Sequence, residues 1–255
     1  MEKRKKIYFA SDTHFGLDLK EDPIESEKRF VRWLDRIKNE TAALYLLGDI
    51  FDYWFEYKSV VPKGHTRVLG KLAEFTDNGI PVYIFTGNHD IWMFDYLPKE
   101  IGATIITEPI EVEVNGKRFY LAHGDGLEDP DRVFGFIRSL FRNKFCQWLY
   151  KMVHPDLTTP FGYAWSRRNR RKKINAKTAV YMGEENEYLV RFAKNYVQNH
   201  DIDYFIFGHR HIMLDLMIRK ETRVVILGDW IDHFSFAVFD GSELFLEQYI
   251  EDNIV

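Results

Sequence analysis

Cysteine is nearly absent from this chain, and Cys146 is the only one among 255 residues. One thiol cannot form an internal disulfide, so the sequence is not a disulfide-stapled secreted domain, and we expect a protein of the reducing cytoplasm. A structural zinc site built from several thiolates is excluded for the same reason. Any metal site in this chain therefore depends on oxygen and nitrogen ligands.

Long apolar runs and a strong net charge are also missing. No run is long enough to span a membrane. The apolar stretch after the basic start, residues 7–10, is too short for the core of a signal peptide, so we expect none. The net charge of −4 argues against a general nucleic-acid binder. A chain of this length can bury one substantial core, and we expect a single domain over residues 1–255.

The chain does contain five short segments of metal-ligand side chains, each at the end of an apolar, strand-like run. The segments are residues 12–14, 48–52, 87–90, 123–125 and 208–211. Apolar runs rich in aromatic and β-branched residues indicate strands that are buried on both faces. Layered α/β proteins bind ligands at the carboxyl ends of such strands. We therefore expect these distant segments to converge in space.

The ligand types indicate a pair of divalent ions. Carboxylate, amide and imidazole groups without thiolate suit manganese, iron, zinc or magnesium. Two ions about 3.5 to 4 Å apart need a shared ligand, and a carboxylate can bridge them; Asp49 is our candidate. Such a pair lowers the pKa of a bridging water and neutralises charge during displacement at phosphorus. The reaction expected is hydrolysis of a phosphoester or phosphoanhydride.

In order and spacing, the segments read DxH, GDxxD, GNH(D/E), a histidine at a strand end, and GHxH. This pattern resembles the calcineurin-like metallophosphoesterase family, and the resemblance implies its αββα sandwich of two mixed sheets flanked by helices. It also implies two ligand sets that share one aspartate. The first set is Asp12, His14, Asp49 and His211, and the second is Asp49, Asn88, His123 and His209.

The resemblance further implies a catalytic pair beside the metals. His89 would lie next to the leaving-group oxygen or the transferred phosphoryl group, Asp90 would orient it, and Asp52 would support the ligands from behind. Asp125 and Asp229 each follow a glycine at a strand end, where they can support a ligand or serve only as turn residues; we place Asp125 among the supports. Four histidines outside the motifs are left out of the metal shell: His65, His154, His200 and His233.

Between these segments, helices alternate with strands. Apolar spacing predicts helices over residues 25–39 and 68–75. Asn115-Gly116 predicts a hairpin, and residues 214–249 read as antiparallel strands with a turn at Asp240-Gly241.

Residues 131–175, here called the lid, depart from this alternation. Between Arg132 and Lys173, basic residues are frequent, aromatic residues are interleaved with them, and Asp156 is the only carboxylate. We expect a helical insertion over the metal site that suits an anionic headgroup or membrane surface with acyl chains beneath. There are two alternatives. In the first, the apolar face of the lid packs on the core and its arginines are merely solvated. In the second, the basic run 167–173 binds nucleic acid.

With the lid included, nearly the full chain resembles one branch of the family, the UDP-2,3-diacylglucosamine hydrolases of lipid A biosynthesis. The resemblance implies cleavage of the pyrophosphate of this lipid-linked sugar nucleotide by metal-activated water, giving UMP and 2,3-diacylglucosamine 1-phosphate. It implies two Mn²⁺ ions, with iron, zinc or magnesium as alternatives, and peripheral contact with the cytoplasmic face of the inner membrane. The substrate-binding residues carried over are Asn88, His89, Phe134, Phe141, Trp148, Ser166, Arg170 and Lys173.

The chain departs from that branch at several positions. The best-characterised members have arginine where this chain has His89. Relative to Ser166 and Lys173, Asn169 falls one residue early, and Phe134 stands where the branch has tyrosine. A second hypothesis is therefore a phosphoesterase acting on a soluble nucleotide, phosphodiester or phosphoprotein. A third is a membrane-associated protein that holds metals for structure without turnover. The intact presence of His89 and Asp90 argues against it.

Overall fold

The computed structural model describes residues 4–128, 132–175 and 180–251, without the side chains of residues 132–134 and 171–175. In chain order the elements are β1 (Lys6–Ala10), α1 (Pro23–Ile37), β2 (Thr41–Leu46), α2 (Thr66–Asp77), β3 (Val82–Phe85), α3 (Tyr96–Ile101), β4 (Thr104–Ile106), β5 (Ile110–Val114), β6 (Lys117–Ala122), α4 (Arg132–Arg142), α5 (Lys144–Lys151), α6 (Pro155–Asn175), α7 (Tyr188–Tyr196), β7 (Tyr204–Phe207), β8 (Met213–Met217), β9 (Arg223–Leu227), β10 (Ser235–Phe239) and β11 (Leu244–Gln248).

The strands form two mixed sheets. The first has the order β11-β10-β1-β2-β3-β4, and the second has the order β5-β6-β7-β9-β8. Strands β1 to β4 are parallel neighbours, as are β6, β7 and β9. Because parallel neighbours end at the same edge of a sheet, the segments that follow β1, β2 and β3 lie side by side, and so do those that follow β6 and β7.

Alternating side chains give each sheet two buried faces. In β1, Ile7 and Phe9 pack between the sheets, against Phe119 of β6 and Phe239 of β10. The intervening Tyr8 contributes instead to the core beneath α1 and α2. A third core lies between the second sheet and α7. These cores define four layers, helix, sheet, sheet and helix, and the expected αββα sandwich is confirmed.

Local signals explain where individual elements begin and end. The carboxylate of Asp22 accepts a hydrogen bond from the backbone N–H of Ile24 at 2.9 Å, and Pro23 opens α1, as expected at a helix start. Asn115 and Gly116 both have positive φ, 51° and 78°, which a two-residue hairpin turn between β5 and β6 requires.

The C-terminal strands are antiparallel in pairs, but the pairs lie in different sheets. Strands β8 and β9 extend the second sheet, where β9 also runs parallel to β7, while β10 and β11 close the first sheet beside β1. The turn at Asp240-Gly241 joins β10 to β11 as expected.

Helices α4, α5 and α6 occupy the lid. An aromatic cluster joins them to the body, with Tyr53, Phe55 and Trp92 packed against Phe141 and Tyr150. Helix α6 approaches closely at Gly162, where an added Cβ would lie 2.4 Å from the ring of Tyr53. Of the helices in the described ranges, none combines the length and apolarity needed to cross a membrane.

Candidate metal centre

The five ligand segments meet at one edge of the sandwich, on backbone that turns sharply. Five expected ligands have left-handed backbone conformations: Asp12 (φ 55°), His14 (46°), Asp49 (52°), His209 (66°) and His211 (53°). Such conformations cost non-glycine residues free energy and are concentrated at functional sites. Here these conformations occur at the residues whose side chains converge.

Two glycines permit the close approach of these turns. A Cβ on Gly87 would lie 2.2 Å from Oδ1 of Asp49, and a Cβ on Gly208 would lie 2.6 Å from Oδ2 of Asp12. Neither distance is sterically possible, so the glycines of the GN and GH motifs make room for the carboxylates.

The first ligand group surrounds Oδ1 of Asp12. This oxygen lies 3.7 Å from Nε2 of His14 and 3.4 Å from Nε2 of His211. Nε2 of His14 is in turn 3.6 Å from Oδ2 of Asp49. The first sheet contributes Asp12, His14 and Asp49, and the second contributes His211.

The second group surrounds Nε2 of His123. It lies 3.4 Å from Oδ2 of Asp49, 3.4 Å from Oδ1 of Asn88 and 3.3 Å from Nδ1 of His209. The same oxygen of Asp49 therefore faces both groups. Asp49 and Asn88 come from the first sheet, and the two histidines come from the second.

These donors fit a pair of divalent ions. Four imidazole nitrogens, two carboxylates and one amide oxygen face one another at distances that are long for hydrogen bonds, as ligands around shared cations do. Among the described residues, Oδ1 of Asp12 and Nε2 of His14 are buried without a hydrogen-bond partner. Buried polar atoms are normally satisfied, so an ion between these groups accounts for them.

Hydrogen bonds behind the ligands fix two imidazole tautomers. Nδ1 of His123 donates to the carbonyl oxygen of Leu47 at 2.7 Å, and Nδ1 of His211 donates to Oδ2 of Asp229 at 3.0 Å. Each interaction turns Nε2 towards the ligand group. Burial lowers the pKa of His123, but the carboxylate of Asp49 outweighs it and raises this pKa to about 10, so a metal at Nε2 would displace a proton. The backbone N–H groups of residues 231–233 also donate to Asp229, which holds its carboxylate in place.

Charge distribution favours the ligand forms of His14 and Asp49. Burial, together with the nearby positive charge of Arg170, holds the pKa of His14 well below its usual value, which keeps the imidazole neutral. Burial opposes ionisation of Asp49, but the neighbouring His123 and His89 outweigh it and hold the pKa of this carboxyl well below its usual range. A neutral imidazole and an ionised carboxylate are the species that bind divalent metals.

His89 lies beside the centre, with different neighbours from those expected. Its ring Nδ1 is 3.0 Å from the carbonyl oxygen of Asp52 and 3.2 Å from Oγ of Ser166. The carboxylate of Asp90 instead accepts hydrogen bonds from the backbone N–H groups of Gly87, Ile50 and Phe51. These backbone donors occupy the carboxylate, which holds two ligand turns together. The expected role of Asp90 in orienting the His89 ring stays a prediction.

The two other expected supports have clear positions. Oδ1 of Asp52 lies 3.5 Å from Nδ1 of His14, behind the first ligand group. Burial raises the pKa of Asp52, and the charges of His89 and Arg170 oppose this shift. Asp125 forms an ion pair with Arg138 of α4 at 2.6 Å, which ties the lid to the turn after β6.

The lid residues expected to bind substrate divide into four groups. Phe141 and Ser166 line a cavity of about 180 Å³ that opens beside Asn88 and His89. Arg170 is close enough to His14 and Asp52 to affect the pKa of both. Trp148 does not line this cavity; it is 55% exposed and stacks on Phe145. The side chains of Phe134 and Lys173 lie outside the described part of the chain.

One ion pair that supports the ligand loop was not predicted from the sequence. Glu187, which is fully buried at the start of α7, accepts two hydrogen bonds from Arg210, at 2.8 and 3.1 Å. Arg210 lies between the ligands His209 and His211, so the pair braces their loop against α7. A single glutamate before an amphipathic helix is too common a pattern to have revealed it.

Comparison with known proteins agrees with this geometry. The model of the calcineurin-like phosphoesterase family matches residues 5–213, a span that contains all the expected ligands. This chain belongs to the calcineurin-like phosphoesterase family. The predicted family is thereby confirmed, and the donor clusters indicate a site for two divalent metal ions, as in a metal-dependent hydrolase.

Within the calcineurin-like phosphoesterases, two curated relatives carry the same name. UDP-2,3-diacylglucosamine hydrolase of Porphyromonas gingivalis is 47% identical over 96% of this chain and 97% of its own length. UDP-2,3-diacylglucosamine hydrolase of Edwardsiella ictaluri is 30% identical over 85% of this chain and 83% of its own length. Among solved structures, the Escherichia coli phosphoesterase YfcE is 16% identical over 94% of this chain and 90% of its own, with a TM-score of 0.45.

Proposed function

We propose that this protein hydrolyses the pyrophosphate of UDP-2,3-diacylglucosamine to UMP and 2,3-diacylglucosamine 1-phosphate. The observation that carries the proposal is an apolar cavity beneath the lid that opens onto the candidate metal centre. The near full-length similarity to the Porphyromonas gingivalis hydrolase supports the same substrate.

The cavity suits an acyl chain joined to a phosphorylated headgroup. Its lining combines polar groups beside the metal centre, including Asn88 and His89, with aromatic and aliphatic side chains from the body and the lid. The apolar part is formed by Tyr53, Ile91, Trp92, Ile137, Phe141, Tyr150, Phe161 and Trp165. Each buried methylene stabilises binding by about 0.8 kcal/mol, so even a partly buried chain favours this substrate over water-soluble nucleotides.

Groups around the metal centre suit the phosphoryl end of the substrate. Two ions bound by the ligand sets would supply an activated water and offset negative charge on the phosphoryl oxygens. Arg170 adds a fixed positive charge from the lid side, next to His14 and Asp52. His89 lies at the border of cavity and centre, where it can donate a proton to the departing oxygen. We propose Mn²⁺ as the resident ion, since the donors are nitrogen and oxygen without sulfur.

We further propose that the outer surface of the lid contacts the membrane that carries the substrate. Several large apolar side chains of the lid are exposed: Phe136, Leu140, Phe145, Trp148, Leu149, Met152, Leu157 and Phe161. Exposed apolar groups with lysines and arginines nearby suit an anionic lipid surface. Phe161 also lines the cavity, so the surface and the cavity are continuous.

The deciding experiment is phosphorus NMR of products formed by manganese-loaded protein from UDP-2,3-diacylglucosamine in mild detergent. A chelated sample is the control, and manganese is removed before acquisition. Metal-dependent appearance of UMP and the sugar 1-phosphate is the expected result. If this substrate is left intact while a chromogenic phosphodiester is hydrolysed, the proposed substrate is wrong and a soluble phosphodiester or nucleotide takes its place.

A further inference from the structure

Ser166 of the lid contacts side chains behind and beside the metal centre. It lies on α6 and is only 6% exposed. Its Oγ is 2.7 Å from Oδ1 of Asp52 and 3.2 Å from Nδ1 of His89. One lid hydroxyl thus contacts both the carboxylate behind His14 and the ring beside the cavity.

Counting hydrogens fixes the direction of these contacts. The hydroxyl of Ser166 has one hydrogen, which it donates to the carboxylate of Asp52. Its lone pairs then face Nδ1 of His89. The same nitrogen faces the carbonyl oxygen of Asp52, which can only accept. Because both neighbours of Nδ1 accept, this nitrogen carries a hydrogen, and Nε2 is the ring atom left for the reaction.

The packing of α6 explains why the hydroxyl lies at this distance. One turn before Ser166, Gly162 rests against the ring of Tyr53, where a Cβ would clash at 2.4 Å. On the same helix, Tyr163 lies over Gly16, within 3.1 Å of an added Cβ. Two close contacts with the loops after β1 and β2 therefore set the position of Ser166 relative to the body.

We propose that Ser166 is a positioning residue through which the docked lid helix fixes the orientation of the His89 ring, with Nδ1–H held by Ser166 and the Asp52 carbonyl oxygen and Nε2 left for the reaction. This inference rests on the proposed function for the role of His89. It gives the lid a part in the chemical step in addition to enclosing the substrate. It also differs from the resemblance-based expectation, in which Ser166 contacts the substrate directly.

Kinetics on two substrates separate positioning from substrate contact. The variants are Ser166→Ala and the control Ser139→Ala, which removes an exposed hydroxyl from lid helix α4. Losing one oriented hydrogen bond to His89 should lower kcat by about tenfold. We expect this loss on UDP-2,3-diacylglucosamine and on a chromogenic phosphodiester alike, with KM for the lipid substrate unchanged. Ser139→Ala should match the wild type.

A spectroscopic measurement on metal-free protein tests the same inference without turnover. Proton–nitrogen correlation spectra should contain a protected Nδ1–H signal of His89, identified by its loss in His89→Gln. In Ser166→Ala this signal should shift or broaden, whereas Ser139→Ala should leave it in place.

Two results would overturn the inference. One is a raised KM for the lipid substrate with normal phosphodiester hydrolysis, which would make Ser166 a substrate contact. The other is an unchanged His89 signal together with an unchanged kcat. If the wild type cleaves only the chromogenic phosphodiester, the proposed substrate fails, but the Ser166 comparison remains decisive on that compound.

Discussion

Removing the carboxylate of Glu187 should destabilise the protein and weaken metal binding together. Glu187 is fully buried and Arg210, its partner, has a side chain that is 14% exposed. Breaking a buried ion pair from one side costs about 3 to 5 kcal/mol. The lower figure applies here because Arg210 has some access to water. At roughly 2 to 4 °C per kcal/mol for a chain of this size, Glu187→Gln should lower Tm by roughly 6 to 12 °C.

Metal binding should weaken because Arg210 lies between two ligands. Loss of a group that orients metal ligands typically costs about 10- to 100-fold in metal affinity. Calorimetric unfolding of the metal-free protein measures the first effect, and titration with Mn²⁺ at a temperature where both proteins are folded measures the second.

The matched control is Asp215→Asn. Asp215 accepts hydrogen bonds from Arg223 in a similar pair on the second sheet, but this pair is more exposed and, unlike Arg210, neither residue stands between two ligands in the chain. Its removal should cost about 1 kcal/mol or less and leave metal affinity unchanged. If Glu187→Gln loses no more stability or affinity than Asp215→Asn, the buried pair does not brace the loop.

Two further comparisons test the centre and the lid. Asp49→Ala removes the oxygen that faces both ligand groups and should abolish metal binding and turnover. His89→Ala should instead keep its metal and lose about 100- to 10,000-fold in rate. Elemental analysis and phosphodiester kinetics check both variants, and full activity of metal-free Asp49→Ala would contradict the mechanism. Phe141→Ala, inside the cavity, should raise KM for the lipid substrate in detergent. Trp148→Ala, on the exposed surface, should instead reduce co-sedimentation with anionic phospholipid vesicles; equal effects of both variants in both assays would contradict the distinction between cavity and surface.

The sequence predicted that the ligand segments converge, because each motif is local. A strand end, a glycine and a metal-binding side chain adjoin one another, and parallel strand order then brings Asp12, Asp49 and Asn88 together. The family and the αββα sandwich followed from the same pattern.

Contacts between turns that are far apart in the chain could not be predicted from the sequence. Asp90 adjoins His89 in the chain, yet its carboxylate is used by backbone N–H groups forty and thirty-nine residues away. Similarly, apolar residues appear on several faces of α5, so their periodicity does not indicate which face borders the cavity. The exposed side chain of Trp148 could therefore not be distinguished from a cavity residue. The division of the last four strands between two sheets also depends on which sheet edges are open, which a local pattern does not report.

The ligand sets have a mechanical consequence, because each draws residues from both sheets. One ion would join Asp12, His14 and Asp49 to His211, and the other would join Asp49 and Asn88 to His123 and His209. Bound ions would therefore link the two sheets, and a small slide of one sheet over the other would disturb both ligand groups at once. Full affinity would arise only after the two sheets have reached their native register, so metal loading would report on completed folding, and loss of metal would loosen the contact between the two halves of the core.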